Sequence, residues 1–129
     1  MTSSAYLDTS AAIKLLVTED ESAALRAELT SSPRRLVSSM LLHTELHCAA
    51  GYRPGFITPT AVNAVLSLVT LVDVTRGDLI SAGAHAPLRS SDAIHLATAI
   101  RLGVDELLTY DTELAHACNA VGIEVVAPR

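Results

Sequence analysis

Alternating strand-like and helical segments along this 129-residue chain predict an α/β fold built around a parallel sheet. Short apolar runs are separated by segments whose apolar residues recur at helical spacing, and the connections between them are short. Half of the residues are apolar and only 18% are charged, so the chain can bury a sizeable core. No internal repeat, linker or low-complexity stretch interrupts the pattern, which predicts one domain over residues 1–129.

The predicted strands are the short apolar or β-branched runs. The first ends at Asp8, and either of the hydroxyl residues that follow, Thr9 and Ser10, could cap the next helix. The last ends before Pro128, which cannot donate to a sheet. The predicted strands cover residues 5–8, 35–38, 71–74, 106–110 and 123–126.

The predicted helices lie between these strands and begin at recognisable start signals. Thr18 and Glu21 have the spacing of a capping box, and Ser39 precedes a long periodic segment. Ser91 can cap the most strongly periodic segment, which Gly103 closes. The predicted helices cover residues 11–17, a segment ending near 29, 39–51, 59–68, 76–85, 92–102 and 112–120.

Composition limits the possible functions. The net charge of −5 argues against a protein that grips nucleic acid by bulk positive charge, although acids held at a metal site would account for most of the excess. Three tyrosines and one phenylalanine are too few for a base-stacking platform. The chain shows no signal-peptide pattern and no apolar run long enough to span a membrane. Its two distant cysteines favour free, buried thiols, so we expect a cytoplasmic protein.

Four acids fall where an α/β sheet would collect them. Asp8 ends the first predicted strand, Asp111 follows the fourth, Glu45 lies on a helix, and Asp92 lies in the first turn of another. In open α/β sheets, ligands bind at the carboxyl ends of strands near the point where strand order reverses. Each aspartate could also be an ordinary helix cap or dipole partner. Glu45 is harder to explain in that way, because apolar residues surround it and a buried, unpaired charge is costly.

Convergence of these acids would predict a metal site. Clustered carboxylates repel one another, and at least one takes up a proton unless a cation is present. Mg²⁺ and Mn²⁺ prefer oxygen ligands and keep several waters, so a few acids suffice to hold them. Such a site can activate water and hold a phosphodiester for in-line attack.

The histidines suggest a second type of metal site only weakly. His43 and His47 stand four residues apart on a predicted helix, with Glu45 between them. The acid would project well away from the histidine face, and no third ligand is evident, which argues against zinc. His95 follows Asp92 by about one turn; it could touch the acids, but a packed or partner-facing histidine is the simpler interpretation.

Other α/β functions fit the sequence poorly. Neither type of Gly-rich phosphate loop is present, and no local signature of Ser/His/Asp or Cys/His catalysis occurs. A phospho-acceptor receiver domain has similar length and alternation, but it would place a lysine at a late strand end. The only lysine here is Lys14, in the first predicted helix.

Four stretches of the chain form a recognisable set of motifs: YLDTSAAIKLL, SSMLLHTELHCAA, LRSSDAIHLATAIRLG and LLTYDTELAHACNAVGIEVVAP. Together they resemble the motifs of PIN-domain ribonucleases and, within them, of the VapC toxins of bacterial toxin–antitoxin pairs. The resemblance covers essentially the whole chain, is most specific in SDAIHLATA and LLTYD, and is loose over residues 53–85. It implies a PIN-like domain with about five parallel strands in the order 3-2-1-4-5, flanked by helices.

The resemblance also implies an activity, a cofactor and site residues. The activity is that of an endoribonuclease dependent on Mg²⁺ or Mn²⁺, which cleaves single-stranded RNA by attack of water. The acidic quartet of the family falls on Asp8, Glu45, Asp92 and Asp111, with Glu45 binding metal directly or through a water molecule. Thr109 matches a hydroxyl position that supports the metal site.

The partners that the resemblance implies are RNA and a cognate VapB-type antitoxin, whose tail would place a basic side chain among the acids. It further implies a homodimer within a toxin–antitoxin hetero-oligomer, and no membrane. Arg89 could contact phosphate or be an ordinary solvated arginine. The alternative from another class is a non-catalytic PIN-like module that binds RNA or protein, against which the intact quartet argues.

Overall fold

A computed structural model describes residues 3–129; Met1 and Thr2, which the predicted domain includes, lie outside the described residues. The strands within residues 3–129 are β1 Ser4–Leu7, β2 Arg35–Ser39, β3 Thr70–Val72, β4 Glu106–Leu108 and β5 Glu124–Val126. They form one parallel sheet in the order β3-β2-β1-β4-β5. The predicted α/β class and strand order are therefore confirmed.

The helices connect the strands as predicted, with ends shifted by a few residues. A 3₁₀ turn, Gly83–His85, occupies the end of the segment predicted as helix over 76–85. The α-helices are α1 Thr9–Leu16, α2 Ser22–Ser31, α3 Met40–Tyr52, α4 Pro59–Leu66, α5 Arg76–Ala82, α6 Ser90–Leu102 and α7 Thr112–Ala120.

The centre of the sheet places the first and fourth strands side by side. Leu7 of β1 pairs with Leu108 of β4, and the N–H of Asp8 donates to the Leu108 carbonyl at 3.2 Å. The residues that follow these two strands, Asp8 and Thr109, consequently lie next to each other at the carboxyl edge of the sheet. This is also where strand order reverses, and so where an α/β sheet is expected to bind ligands.

The two faces of the sheet carry separate parts of the core. Ala5 and Leu7 of β1 pack with buried residues of α1, α3 and α4. Tyr6 points to the opposite face, as the period of two in a strand requires, and packs with Leu96 of α6 and Leu114 of α7. Both faces are thus covered by helices, which is typical of a parallel sheet.

The start of α1 differs from the prediction. Asp8 is its N-cap, since the carboxylate accepts the N–H of Ala11 at 2.9 Å, and neither Thr9 nor Ser10 has this role. The two hydroxyl groups are instead used in contacts with other segments. A carboxylate at a strand end can therefore serve as a helix cap and still belong to a group of acids.

Two other predicted caps are also wrong. The predicted capping box before α2 does not form; the hydroxyl of Ser22 accepts the N–H of Glu19 and donates to the carbonyl of Val17. Helix α6 begins at Ser90, one residue before the predicted cap Ser91, and has no side-chain cap. Gly103 ends that helix in the left-handed conformation, with φ of 64°, as predicted.

Two further expectations concern membranes and thiols. Of the helices in residues 3–129, none combines the length and apolar character that crossing a membrane requires. Both cysteines are free, as predicted. Cys118 is buried, but Cys48 is exposed, so the expectation of buried thiols holds for only one of them.

Candidate active site

Asp8 is a buried carboxylate at the end of β1, with 2% of its surface exposed. Its Oδ1 accepts the N–H of Ala11 at 2.9 Å and the hydroxyl of Ser10 at 2.8 Å, and its Oδ2 accepts the hydroxyl of Thr109 at 2.5 Å. Burial raises the pKa of Asp8, and the hydrogen bonds from Thr109, Ala11 and Ser10 offset this only in part. The side chain is therefore firmly oriented, while its charge is poorly solvated.

Thr109 and Ser10 fix the segment after β4 to Asp8. The hydroxyl of Thr109, which is 1% exposed, donates to Asp8 and accepts the N–H of Asp111 at 3.0 Å. The hydroxyl of Ser10 accepts the N–H of Tyr110 at 2.9 Å. The contact of Thr109 with Asp8 fits the supporting position predicted for it. The contact of Ser10 was missed, because the sequence suggested only a cap.

Glu45, in the second turn of α3, has the partners that its apolar surroundings require. Its Oε1 accepts the hydroxyl of Thr9 and the Nε2–H of His95, each at 2.6 Å. Burial alone would raise the pKa of Glu45, but the hydrogen bonds from His95 and Thr9 outweigh burial and lower it. Glu45 is therefore an ionised carboxylate at neutral pH, and a quarter of its side chain, 26%, is exposed.

His95 is packed, as the simpler interpretation of the sequence expected, and it also touches the acids. Its side chain is 1% exposed, yet Nε2 contacts Glu45 and Nδ1 contacts the hydroxyl of Tyr6. The only signal for these contacts in the sequence is the placement of His95 one turn after Asp92. The contact with Tyr6 could not be predicted, because it depends on how α6 lies over the sheet.

Arg89 pairs with the remaining two acids. Its Nη2 lies 3.1 Å from Oδ2 of Asp111, and its Nε lies 3.6 Å from Oδ2 of Asp92. Asp111 also caps α7, with Oδ1 accepting the N–H of Leu114 at 2.8 Å. Burial and the charge of Asp111 raise the pKa of Asp92, and the charge of Arg89 offsets this only in part. These two acids therefore favour a nearby cation.

Pairwise contacts link the four predicted acids. Thr109 contacts both Asp8 and Asp111. Arg89 contacts both Asp111 and Asp92. His95, on the same helix as Asp92, contacts Glu45. Within residues 3–129, however, no three His, Cys, Asp or Glu side chains are close enough to hold a metal ion as they stand. The acids thus reach one edge of the sheet without closing on a common point.

The chemistry of these donors fits a hard divalent cation. All four acids offer carboxylate oxygens, the ligands that Mg²⁺ and Mn²⁺ prefer. In the described part of the chain, Asp8 has no arginine or lysine paired with it, and the pKa of Asp92 is raised by burial and by like charge. A cation would relieve both conditions. The rings of His43 and His47 contact each other in a tilted arrangement, with centroids 4.5 Å apart and planes at 46°, and form no zinc-type group with other described residues.

A surface cleft lies beside the acids. It has a volume of about 440 Å³ and is lined by Arg89, Asp111, Thr112 and Glu113. The side chain of Arg89 is 76% exposed there. An extended anionic ligand lying in this cleft would bring its negative charge to this exposed guanidinium, beside the acids.

The chain is similar to known proteins over most of its length. The family model of the PIN domain matches residues 5–120. Ribonuclease VapC46 of Mycobacterium tuberculosis is 44% identical over 128 residues, which cover 95% of this chain and 96% of that protein. The structure of VapBC2 from Rickettsia felis, bound to a DNA fragment from its promoter, aligns with a TM-score of 0.76 and 11% identity over 98% of this chain and 99% of that chain. The sarcin–ricin loop cleaving toxin VapC20 of M. tuberculosis aligns with a TM-score of 0.73 and 17% identity over 88% of this chain and 94% of that chain.

Proposed function

Since the chain belongs to the PIN-domain family and, within it, to the VapC ribonucleases, we propose that it is an endoribonuclease toxin that cleaves single-stranded RNA with Mg²⁺ or Mn²⁺. The observation that carries this proposal is the linked group of four acids: Asp8 and Asp111 follow β1 and β4, and Glu45 of α3 and Asp92 of α6 are connected to them by contacts at the same edge of the sheet. A purely structural role would not require Asp8 to keep a buried carboxylate whose pKa is raised by burial.

The four acids would have different roles in the site. Asp8, Asp92 and Asp111 would hold the cation, and Glu45 would bind it directly or through a water molecule. When bound, the cation would supply positive charge that activates water and stabilises the charge developing on the phosphate. Thr109 keeps the carboxylate of Asp8 in place and also holds the N–H of Asp111, so the spacing between these two acids is set by the backbone after β4.

Glu45 is suited to orient the attacking water. Thr9 and His95 both donate to Oε1, so Oε2 is left to accept a hydrogen bond from water. The water oxygen forms a bond to phosphorus and releases a proton to the solvent, the bond from phosphorus to the 3′ oxygen breaks, and the 3′ oxygen takes up a proton from the solvent. Because water attacks rather than the ribose 2′-hydroxyl, the products would carry 5′-phosphate and 3′-hydroxyl ends. Arg89, exposed in the adjacent cleft, would bind a phosphate of the RNA.

The proposed partners follow from family membership and from the charge of the site. A VapB-type antitoxin would neutralise the protein by placing a basic side chain among the acids, as Arg89 already does for Asp92 and Asp111. We further propose a homodimer within a toxin–antitoxin hetero-oligomer, acting in the cytoplasm.

The test of this function uses the purified chain, freed of any copurifying antitoxin. Incubated with single-stranded RNA and Mg²⁺ or Mn²⁺, it should cut the RNA, and it should leave a duplex of the same sequence uncut. Sequencing of the fragments should find 5′-phosphate ends. Firm RNA binding with no cleavage in either metal would instead favour the alternative, a non-catalytic module that binds RNA or protein.

Replacement of Thr109 by Val should slow RNA cleavage by roughly 10- to 100-fold, the usual effect of losing a partner that orients a metal ligand. Valine keeps the shape of the side chain but removes the hydroxyl that donates to Asp8 and accepts the N–H of Asp111. Initial rates at saturating metal measure the effect. Thr109→Ser is the matched control and should retain most of the activity; equal losses in both variants would mean that packing, rather than the hydroxyl, matters here.

A further inference from the structure

His95 is a buried residue with a polar partner on each side of its ring. Its Nδ1 lies 2.6 Å from the hydroxyl of Tyr6, and its Nε2 lies 2.6 Å from Oε1 of Glu45. Tyr6 is itself fully buried in β1 and meets the imidazole nearly edge-on, with centroids 5.5 Å apart and planes at 72°. The sheet beneath α6 therefore fixes the orientation of the imidazole.

The carboxylate of Glu45 sets the direction of both hydrogen bonds. A carboxylate can only accept, so Nε2 of His95 carries the hydrogen donated to Glu45. Nδ1 then accepts the hydroxyl hydrogen of Tyr6. A phenol hydroxyl is protonated at neutral pH, so Tyr6 has a hydrogen to donate. A chain of two directed hydrogen bonds thus runs from the centre of the sheet to the acids.

These two hydrogen bonds, from Tyr6 to His95 and from His95 to Glu45, support one carboxylate oxygen of Glu45 and leave the other available. Thr9, at the start of α1, donates to the same Oε1 at 2.6 Å, so two separate helices hold this atom. No other described group is hydrogen-bonded to Glu45. Without His95, the glutamate would keep a single anchor and could rotate away from the position it has at the edge of the sheet.

We infer that Tyr6 and His95 are positioning residues that act through Glu45: Tyr6 orients the imidazole, and the imidazole holds Oε1 so that Oε2 meets the attacking water. This inference rests on the proposed ribonuclease function and extends the site into the core of the protein. Because both residues are buried, neither should touch the RNA or the attacking water. Their effect should therefore be on the rate of the chemical step and not on the binding of RNA.

Kinetics of RNA cleavage test the inference. His95→Leu should lower kcat by about 10- to 100-fold with KM nearly unchanged, and Tyr6→Phe should lower it by a few-fold. His95→Gln should recover most of the loss, because its amide N–H can replace the Nε2–H donor. Tyr110→Phe is the matched control: it loses a hydroxyl that donates to the Pro128 carbonyl at 2.8 Å, and kcat should not change.

A double-mutant cycle shows whether His95 acts through Glu45. In a Glu45→Ala background, His95→Leu should cause no further loss of kcat, because the group through which it acts is gone. An equal fractional loss in both backgrounds would overturn the inference, as would a folded His95→Leu protein with wild-type kcat. Should His95→Leu fail to fold, Tyr6→Phe provides the same comparison: its few-fold loss of kcat should appear in the wild type and be absent in the Glu45→Ala background.

Nuclear magnetic resonance separates this inference from the proposed function. The wild type should show a slowly exchanging, downfield Nε2–H proton of His95, which Glu45→Ala should remove. Absence of that signal in the wild type would overturn the inference even if the protein cleaves RNA. A wild type that shows the signal but cuts no RNA under any metal would support the contact between His95 and Glu45 and count against the ribonuclease function alone.

Discussion

Asp8→Asn should lower the rate of RNA cleavage by roughly 1,000-fold or more while leaving the fold intact. Asparagine retains an oxygen that can accept the N–H of Ala11, and it caps helices about as well as aspartate does, so α1 should still begin at the same residue. What is lost is the negative charge that the proposed cation requires. Initial rates on single-stranded RNA at saturating metal measure the loss of cleavage. Circular dichroism of the same samples shows whether the fold is intact.

The same substitution should make the metal-free protein more stable. Burial raises the pKa of Asp8, so the folded state binds a proton at this group more tightly than the unfolded state does. The free energy of unfolding of the protein therefore decreases as pH rises from the ordinary aspartate pKa through the raised pKa of Asp8. At neutral pH, Asp8→Asn should raise the free energy of unfolding by about 1 kcal/mol, the usual gain from relieving such a site. Urea unfolding in chelator at several pH values should show the difference growing with pH.

Asp78→Asn is a control with the opposite expectation. Asp78 is also buried, but its Oδ1 accepts from Nε of Arg101 at 2.8 Å, and it forms a capping box with Thr75. Burial alone would raise the pKa of Asp78, but Arg101 and the backbone N–H of Thr75 outweigh burial and lower it. Its contribution to stability is therefore present at neutral pH and lost as pH falls through the lowered pKa. Asp78→Asn should cost about 1–3 kcal/mol and leave cleavage unchanged.

The two substitutions together decide what kind of residue Asp8 is. If Asp8→Asn destabilised the protein as much as Asp78→Asn does, Asp8 would be an ordinary structural cap. A gain in stability combined with loss of cleavage would instead identify a carboxylate that is kept for function at a cost in stability.

The sheet and most of the elements could be predicted because they depend on local patterns. Helix α7 has the predicted bounds, Thr112–Ala120, since its apolar periodicity and its start after a strand agree. The caps were less predictable, because a short polar side chain near a helix start has several possible partners. Serine often caps helices, but the hydroxyl of Ser10 contacts Asp8 and accepts the N–H of Tyr110, a residue far away in the sequence. Only the folded chain decides between such partners.

The acids themselves could be proposed from the sequence, but their supports could not. The position of each acid relative to a strand or helix end is a local property, and the sheet order then brings Asp8 next to Thr109. Thr9 and His95 hold Glu45 through contacts between α1, α3 and α6, which depend on how three helices pack. Arg89 lies between two acids for the same reason: it immediately precedes α6 and reaches the start of α7.

Removal of divalent metal with a chelator should reduce RNA cleavage to background, and Mg²⁺ or Mn²⁺ should restore it. The acids need a cation for two reasons. Burial and the charge of Asp111 raise the pKa of Asp92. Asp8 is buried without a paired arginine or lysine among the described residues. A cation that binds the folded state alone also stabilises it, by about 2.7 kcal/mol at a hundred times its Kd. Thermal unfolding with and without metal therefore gives a measurement that does not depend on activity.

Variants of single acids then connect this stabilisation to the proposed site. Added Mn²⁺ should raise the Tm of the wild type and of Asp78→Asn, but it should raise that of Asp8→Asn little, because one of the ligands has lost its charge. Lower pH should weaken the effect, since protons compete with the cation for the same carboxylates, and Asp8 and Asp92 take up protons most readily because the pKa of each is raised. An equal rise in Tm for wild type and Asp8→Asn would show that the cation binds elsewhere. Cleavage that persists in chelator would remove the metal from the proposed reaction, whatever the Tm measurements show.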